Sequence, residues 1–436
     1  MQRFITLAFL LLLSCCGVLA APPTELVIAT VNNGHMVEMQ KLSPRFEQAN
    51  PDIRLKWVVL DEGVLRQRVS ADIVDKGGQY DVITIGMYEV PIWGRKGWLR
   101  PFQPDDQYDV NDVLPAIRKG LSADGKLYAA PFYGESSMLM ARADLMKAAG
   151  FSLPYQPTWD DIRKAAARLH APDKGIYGIC LRGKAGWGEN MALVSTMVNT
   201  FGGQWFDMGW RPQIHSDAWK KAVSFYVDLL KQYGPPEAWH NGFNENLKLF
   251  QQGRCAMWVD ATIAASFLAD PKQSVVADKL AFTQAPVALT QRGAGWLWAW
   301  ALAIPSATTK ADAAQRFLNW ATSRRYIELV ADSEGWAHIP TGTRGSTYKR
   351  NEFTRSVNFA FHEAMAIALA DPNNSTLPKS PYTGVQFASI PEFQQIGQLT
   401  GERVAAALQG RMSVAEALAG AQQQAEAQMR QAGYFK

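Results

Sequence analysis

Glu135 stands in a polar kink, Tyr133-Gly134-Glu135-Ser136, between two extended apolar runs of the segment Lys126 to Met140. Asp260 closes a second apolar run, Cys255 to Val259, and Asn32 and Asn33 follow the first, Glu25 to Val31. Carboxylates and amides of this kind exchange hydrogen bonds with hydroxyl groups, and those with a charged partner are the stronger ones. A ligand hydroxyl buried without a partner costs about 1–3 kcal/mol, so a site for hydroxyl-rich molecules needs a dense set of such groups. It also needs an apolar wall. Trp296, Trp298 and Trp300 alternate with small or aliphatic residues, so on a strand they share one face. Trp187 with Glu189 and Asn190 forms another aromatic and polar cluster, and the chain carries 15 Trp in all. Indoles beside carboxylates suit flat ligands with apolar C–H faces and polar edges, a description that sugars and polyols meet.

Tyr88, Glu89, Tyr133 and Trp336 are weaker candidates of the same chemistry, and the Arg344 fork is suited to holding two hydroxyls. Each candidate has a structural alternative. Glu135 suits a hinge ion pair, Asp260 suits the N-cap of a helix over Ala261 to Ala269, and Asn-Gly is ordinary turn chemistry. Trp300 suits core packing, and Arg344 suits a surface carboxylate.

Other chemistries find less support. The six His, at 35, 170, 215, 240, 338 and 362, do not cluster at ligand spacing, so no metal site and no cofactor are expected. No Gly-x-Ser-x-Gly elbow is present. A secreted glycoside hydrolase would need two carboxyl groups about 5–10 Å apart, which the many Asp and Glu leave open as a remote alternative. The net charge is +4 and its Lys and Arg are interleaved with acids, which gives no nucleic-acid footprint.

The elements that must position these residues open as strand, helix, strand, helix, strand. Glu25 to Val31, Ile53 to Val59 and Tyr80 to Gly86 read as strands; Met36 to Asn50 and Val64 to Lys76 read as helices. That order implies a parallel sheet with helices on both faces, and ligands of such sheets sit off the carboxyl ends of the strands. Asn32, Asn33, Tyr88 and Glu89 lie at those ends. The segment Lys126 to Met140 has the look of a strand that leaves one lobe and enters another. Helices are expected at 142–149, at 158–170 with a Thr158/Asp161 start, at 217–231, at 244–252 and near the carboxyl end.

The first residues read as a charged start, an apolar run from Phe4 to Leu13 and small residues to Ala21. This is a secretory signal, 1–20, with cleavage expected after Ala20. Leu12-Leu13-Ser14-Cys15 also resembles a lipobox, so lipid attachment at Cys15 stays open. Beyond it no apolar run approaches the roughly 20 residues a spanning helix needs. Cys180 and Cys255 remain, and pairing or two buried thiols are both compatible with their spacing.

Taken in order, these pieces resemble the extracellular solute-binding proteins of ABC importers for sugars, the family of maltose-binding protein. The carriers are Val27 to Gly34, Tyr80-Asp81-Val82-Ile83-Thr84-Ile85-Gly86, Leu127 to Met140, Phe250 to Asp260 and Gly295 to Pro305. Gly335-Trp336-Ala337-His338-Ile339-Pro340-Thr341-Gly342-Thr343-Arg344 and the three-Trp strand look most like the sorbitol- and mannitol-binding branch. The resemblance implies an α/β periplasmic-binding-protein fold: two lobes around a cleft, joined by hinge crossovers. The N-terminal lobe would hold 25–131 plus about 300–335, the C-terminal lobe 132–299 plus about 336–436. It implies no catalysis and a carboxylate contact with sugar at Glu135 and, at the cleft edge, Asp260. It also implies a monomeric periplasmic carrier that delivers a polyol, or else a mono- or oligosaccharide, to a membrane permease with a separate ATPase.

Overall fold

A computed structural model describes residues 22–370, 379–382 and 384–436. The expected signal and Cys15 lie outside the described residues. The opening follows the expected order: β1 (Thr24–Val31), α1 (Gly34–Ala49), β2 (Ile53–Leu60), α2 (Glu62–Asp75), β3 (Val82–Ile85) and α3 (Glu89–Arg95). β1 pairs in parallel with both β2 and β3. Its residues from Ile28 to Val31 are all buried, as a strand covered on both faces requires. Asn33 starts α1 by accepting a hydrogen bond from the Met36 amide at 3.2 Å.

β4 (Leu99–Arg100) and the hairpin of β5 (Ser122–Ala123) and β6 (Lys126–Leu127) precede the long kinked segment. That segment divides into β7 (Ala129–Glu135) and β8 (Ser137–Arg142), entirely buried, with the break at Ser136. The break is a change of sheet. β7 joins the sheet of β1, where it pairs with β11 (Trp298–Pro305). β8 is the centre of a three-stranded antiparallel sheet with β9 (Met257–Ala261) and β10 (Leu280–Gln284). The chain returns to the first sheet at β11, which runs antiparallel to β3. The first sheet therefore has the order β2-β1-β3-β11-β4, with β7 also on β11. Its parallel part is the portion the opening elements imply; the antiparallel strand comes from more than 200 positions later.

The helix over Trp159–Leu169 has the capping box expected of Thr158 and Asp161. The helix Asn190–Thr200 is buried throughout, and Asp217–Tyr233 and Phe243–Gln251 fall where periodicity places them. After Asp260 the expected helix is short, Ala264–Leu268, and its N-cap is Ile263. Asp260 lies inside β9 and is no cap. Cys180 and Cys255 are joined by a disulfide across 75 positions, which resolves the open choice in favour of pairing. It ties the loop before Asn190–Thr200 to the approach to β9. Among the described residues no helix is long and apolar enough to cross a membrane.

Candidate functional site

One cleft collects most of the candidate chemistry; its volume is about 760 Å³ including its open mouth. The β7–β11 pair builds one wall. Trp298 stands opposite Glu135 and Trp300 opposite Tyr133, so the four side chains alternate onto a single face of the pair. The register then shifts between Trp300 and Ala301, and β11 continues as buried aliphatic core. Trp300, expected in the core, lines the cleft with Trp296 and Trp298. Trp298 packs on Gly86, where any Cβ would come within 2.0 Å of its ring.

The carboxyl ends of β1 and β2 supply the next wall, in keeping with the position of ligands on such sheets. Asn32 and Asn33 line it after β1, Asp61 and Glu62 after β2. Asn33 serves twice, since it also donates from Nδ2 to the Tyr133 hydroxyl at 2.7 Å. The loop Arg182 to Glu189 closes the far side with Trp187, together with Phe243, Asn244 and Gln386. Asn244 donates to the Asn32 carbonyl at 3.0 Å, a bond across the mouth between the helix Phe243–Gln251 and the turn after β1.

Two arginines organise the charge. Arg66 reaches Glu62 at 2.9 Å and Glu89 at 2.5 Å, and its guanidinium lies 4.0 Å from the Trp187 ring centre and about as close to Trp298 and Trp300, at 5.0 and 4.9 Å. A planar, weakly hydrated cation suits such an indole cage. Arg182 holds Asp260 by three bonds of 2.6–3.0 Å and donates to the Gly188 carbonyl at 2.9 Å. Asp260 also accepts from the Trp258 indole at 2.9 Å and the Ala261 amide at 2.7 Å. Glu135 is 7% exposed. Burial pushes its carboxyl up to about 8, against the opposing pull of Arg182 and a hydrogen bond from Trp296. Burial likewise raises Glu189. The Trp187 indole N–H is buried and has no hydrogen-bond partner among the described residues.

Of the candidates, Asn32, Asn33, Tyr133, Glu135, Trp187, Glu189, Trp296 and Trp298 thus meet at the cleft. Six stand away from its lining. Asn190 is fully buried and donates to the Gly401 carbonyl at 2.9 Å. Asp260 lies behind it as the anchor of Arg182. Glu89 is buried under Arg66 and accepts from the Gly86 amide at 3.1 Å. Tyr88 donates to the Ile390 carbonyl at 3.0 Å and packs against Trp187. Trp336 lies under Arg350. Arg344, 1% exposed, donates to the Asp109 and Thr322 carbonyls at 3.1 and 3.2 Å and lies over Tyr108. Glu62, Arg66 and Arg182 were not among the candidates, because lone charges on a helix and in a loop carry no motif. A period-based signal exists only for Glu62 and Arg66, which are spaced i,i+4 on α2.

The segment 33–327 matches the family of bacterial extracellular solute-binding proteins. This chain belongs to that family. A mannitol-binding protein of Pseudomonas aeruginosa is 53% identical over 420 residues, 96% of each chain. The crystal structure of an ABC transporter solute-binding protein from Agrobacterium vitis S4 with bound D-mannitol superposes with a TM-score of 0.93 at 53% identity, over 95% of this chain and 100% of that one. A solute-binding protein from Agrobacterium radiobacter K84 in complex with ribitol gives a TM-score of 0.81 at 25% identity, over 93% and 99%. The fold is accordingly the two-lobed α/β fold of these solute-binding proteins, and the family is one of binding proteins rather than enzymes. No group of His, Cys, Asp and Glu among the described residues is arranged to hold a metal ion.

Proposed function

We propose that this solute-binding protein captures a sugar alcohol, D-mannitol first, for an ABC importer. The observation that carries this reading is the likeness, over nearly the whole chain, to a solute-binding protein that holds D-mannitol. The cleft chemistry supports it. Trp298 and Trp300 on β11 and Trp296 just before it offer apolar faces, while Glu135, Asn32 and the free Trp187 N–H offer separate hydrogen-bonding points. The proposed ligand contacts are Asn32, Asn33, Glu135, Trp187, Trp296 and Trp298, joined by Glu62, Arg66 and Arg182.

The two lobes of the proposal are 25–131 with about 300–335, and 132–299 with about 336–436; the change of sheet at Ser136 supports a crossover there. The protein works as a monomer in the periplasm, directed by the signal 1–20 or held by lipid at Cys15, and passes its ligand to a permease driven by a separate ATPase. The family's extracellular character supports the location.

Titration calorimetry with mannitol, sorbitol, arabitol, glucose, fructose and maltose tests the ligand class. At least one alditol is expected to bind about tenfold or more tightly than glucose or maltose, a difference of about 1.4 kcal/mol. Preference for a hexose or for maltose would replace the polyol by a mono- or oligosaccharide.

A further inference from the structure

Acidic groups outnumber the cations that face them in this cleft, and the cations are already committed. Arg66 is shared between Glu62 and Glu89. Arg182 is spent on Asp260, with Glu189 at 3.5 Å. Lys184, partly exposed, reaches Glu189 only at 4.0 Å. Glu135 takes part in no ion pair among the described residues, although it is buried and lines the cleft. The Trp296 indole is its hydrogen-bond partner, and Asp260 and Glu62 oppose whatever Arg182 contributes. A neutral polyol offers Glu135 no cation, so its buried carboxyl keeps its proton. A ligand with one ammonium among its hydroxyls supplies the partner that no ion pair among the described residues gives it, and the surrounding indoles favour the polarised C–H groups beside a cationic nitrogen.

We propose that the cleft also accepts an amino-alditol, a polyol with one hydroxyl replaced by a protonated amine, with the ammonium seated against Glu135. This rests on the polyol reading of the cleft. The exchange is balanced: Glu135, raised to about 8 by burial, carries a proton at pH 7, the arriving ammonium takes its place, and that proton passes to the buffer. The site ends with a carboxylate–ammonium pair and no change in the number of bonds within the ligand.

Titration calorimetry at pH 7 with 1-amino-1-deoxy-D-mannitol and 1-amino-1-deoxy-D-glucitol, beside D-mannitol and D-glucitol, decides the matter. Repeating each titration in buffers of different ionisation enthalpy counts the protons. The amino-alditol is expected to bind within about tenfold of its parent and to release about one proton, while the parent releases none. In Glu135→Gln the release disappears, and the amine weakens at least about tenfold relative to the parent alditol in the same variant. The proton count in the unaltered protein stands whether or not that variant folds. A parent that binds while the amine binds more than about 100-fold more weakly, or an amine that binds without proton release, overturns the proposal and leaves the polyol reading intact. If neither compound binds, the polyol reading falls and this one with it.

Discussion

Asp260 shows how a residue's role depends on a partner that sequence does not reveal. Seen alone at the end of an apolar run, it suits a ligand contact or a helix cap. Its actual occupation is Arg182, 78 positions away, which it grips with both oxygens while also accepting from Trp258 and Ala261. A buried guanidinium deprived of its counter-ion is an uncompensated charge, so Asp260→Asn is expected to lower stability by about 3–5 kcal/mol in urea denaturation. Unchanged stability together with weakened ligand binding would return Asp260 to the ligand. Glu135 differs because no ion pair among the described residues holds it; its place in the kink was visible in the sequence, which left a hinge ion pair open. Arg344 illustrates the opposite outcome: its fork donates to two backbone carbonyls and lies 3.6 Å from Asp112, away from the cleft lining.

At the scale of elements, alternation was readable and partnership was not. The spacing of Trp296, Trp298 and Trp300 read as one strand face, because side chains on a strand alternate by geometry; the structure bears this out for Trp298 and Trp300, while Trp296 lies just before β11. That this face turns to a cleft follows from pairing with β7, where Glu135 and Tyr133 stand opposite. The segment Gly335 to Arg344 was recognisable as distinctive, yet its job is packing. Gly134 donates to the Thr341 carbonyl at 2.8 Å, and Gly342, at φ +79°, lies so close that a Cβ would meet the Gly134 oxygen at 1.9 Å. The buried Glu363 holds the same stretch by accepting from Thr341 at 2.8 Å and Tyr348 at 3.0 Å. Gly342→Ala therefore combines a left-handed backbone with a backbone collision beside Glu135. It is expected to cost about 2–4 kcal/mol and to weaken ligand binding as β7 shifts. Chemical denaturation and calorimetry on that variant check both effects, and a neutral result in both would mean that the close approach is dispensable.

For the whole molecule, the cleft lies between the β7–β11 pair with the ends of β1 and β2 on one side and the loop Arg182 to Glu189 with the helix Phe243–Gln251 on the other, and a few polar bonds join distant segments at or near it. Asn244 reaches Asn32, and Tyr88 reaches the carbonyls of Ile390 and Pro391 at 3.0 and 3.1 Å. These are exposed or few enough to break at small cost, since a single hydrogen bond contributes about 0.5–1.5 kcal/mol net. Opening for entry and closing on the ligand about the strand crossovers is the expected behaviour. Small-angle scattering is expected to show a smaller radius of gyration at ligand saturation than without ligand. Identical profiles would argue for a rigid cleft that fills without closing.

The amino-acid sequence determined the local order by itself: the opening strand–helix alternation, the capped helices, the kinked strand at Glu135 and the indole face. Each depends on periodicity or on contacts within a few residues, which a linear chain displays directly. The antiparallel insertion of β11 beside β3, the Cys180–Cys255 bond and the two buried arginine clusters were decided only in three dimensions. Most of them join groups tens to hundreds of positions apart, and no local preference distinguishes a charge that will meet a ligand from one that will meet another charge.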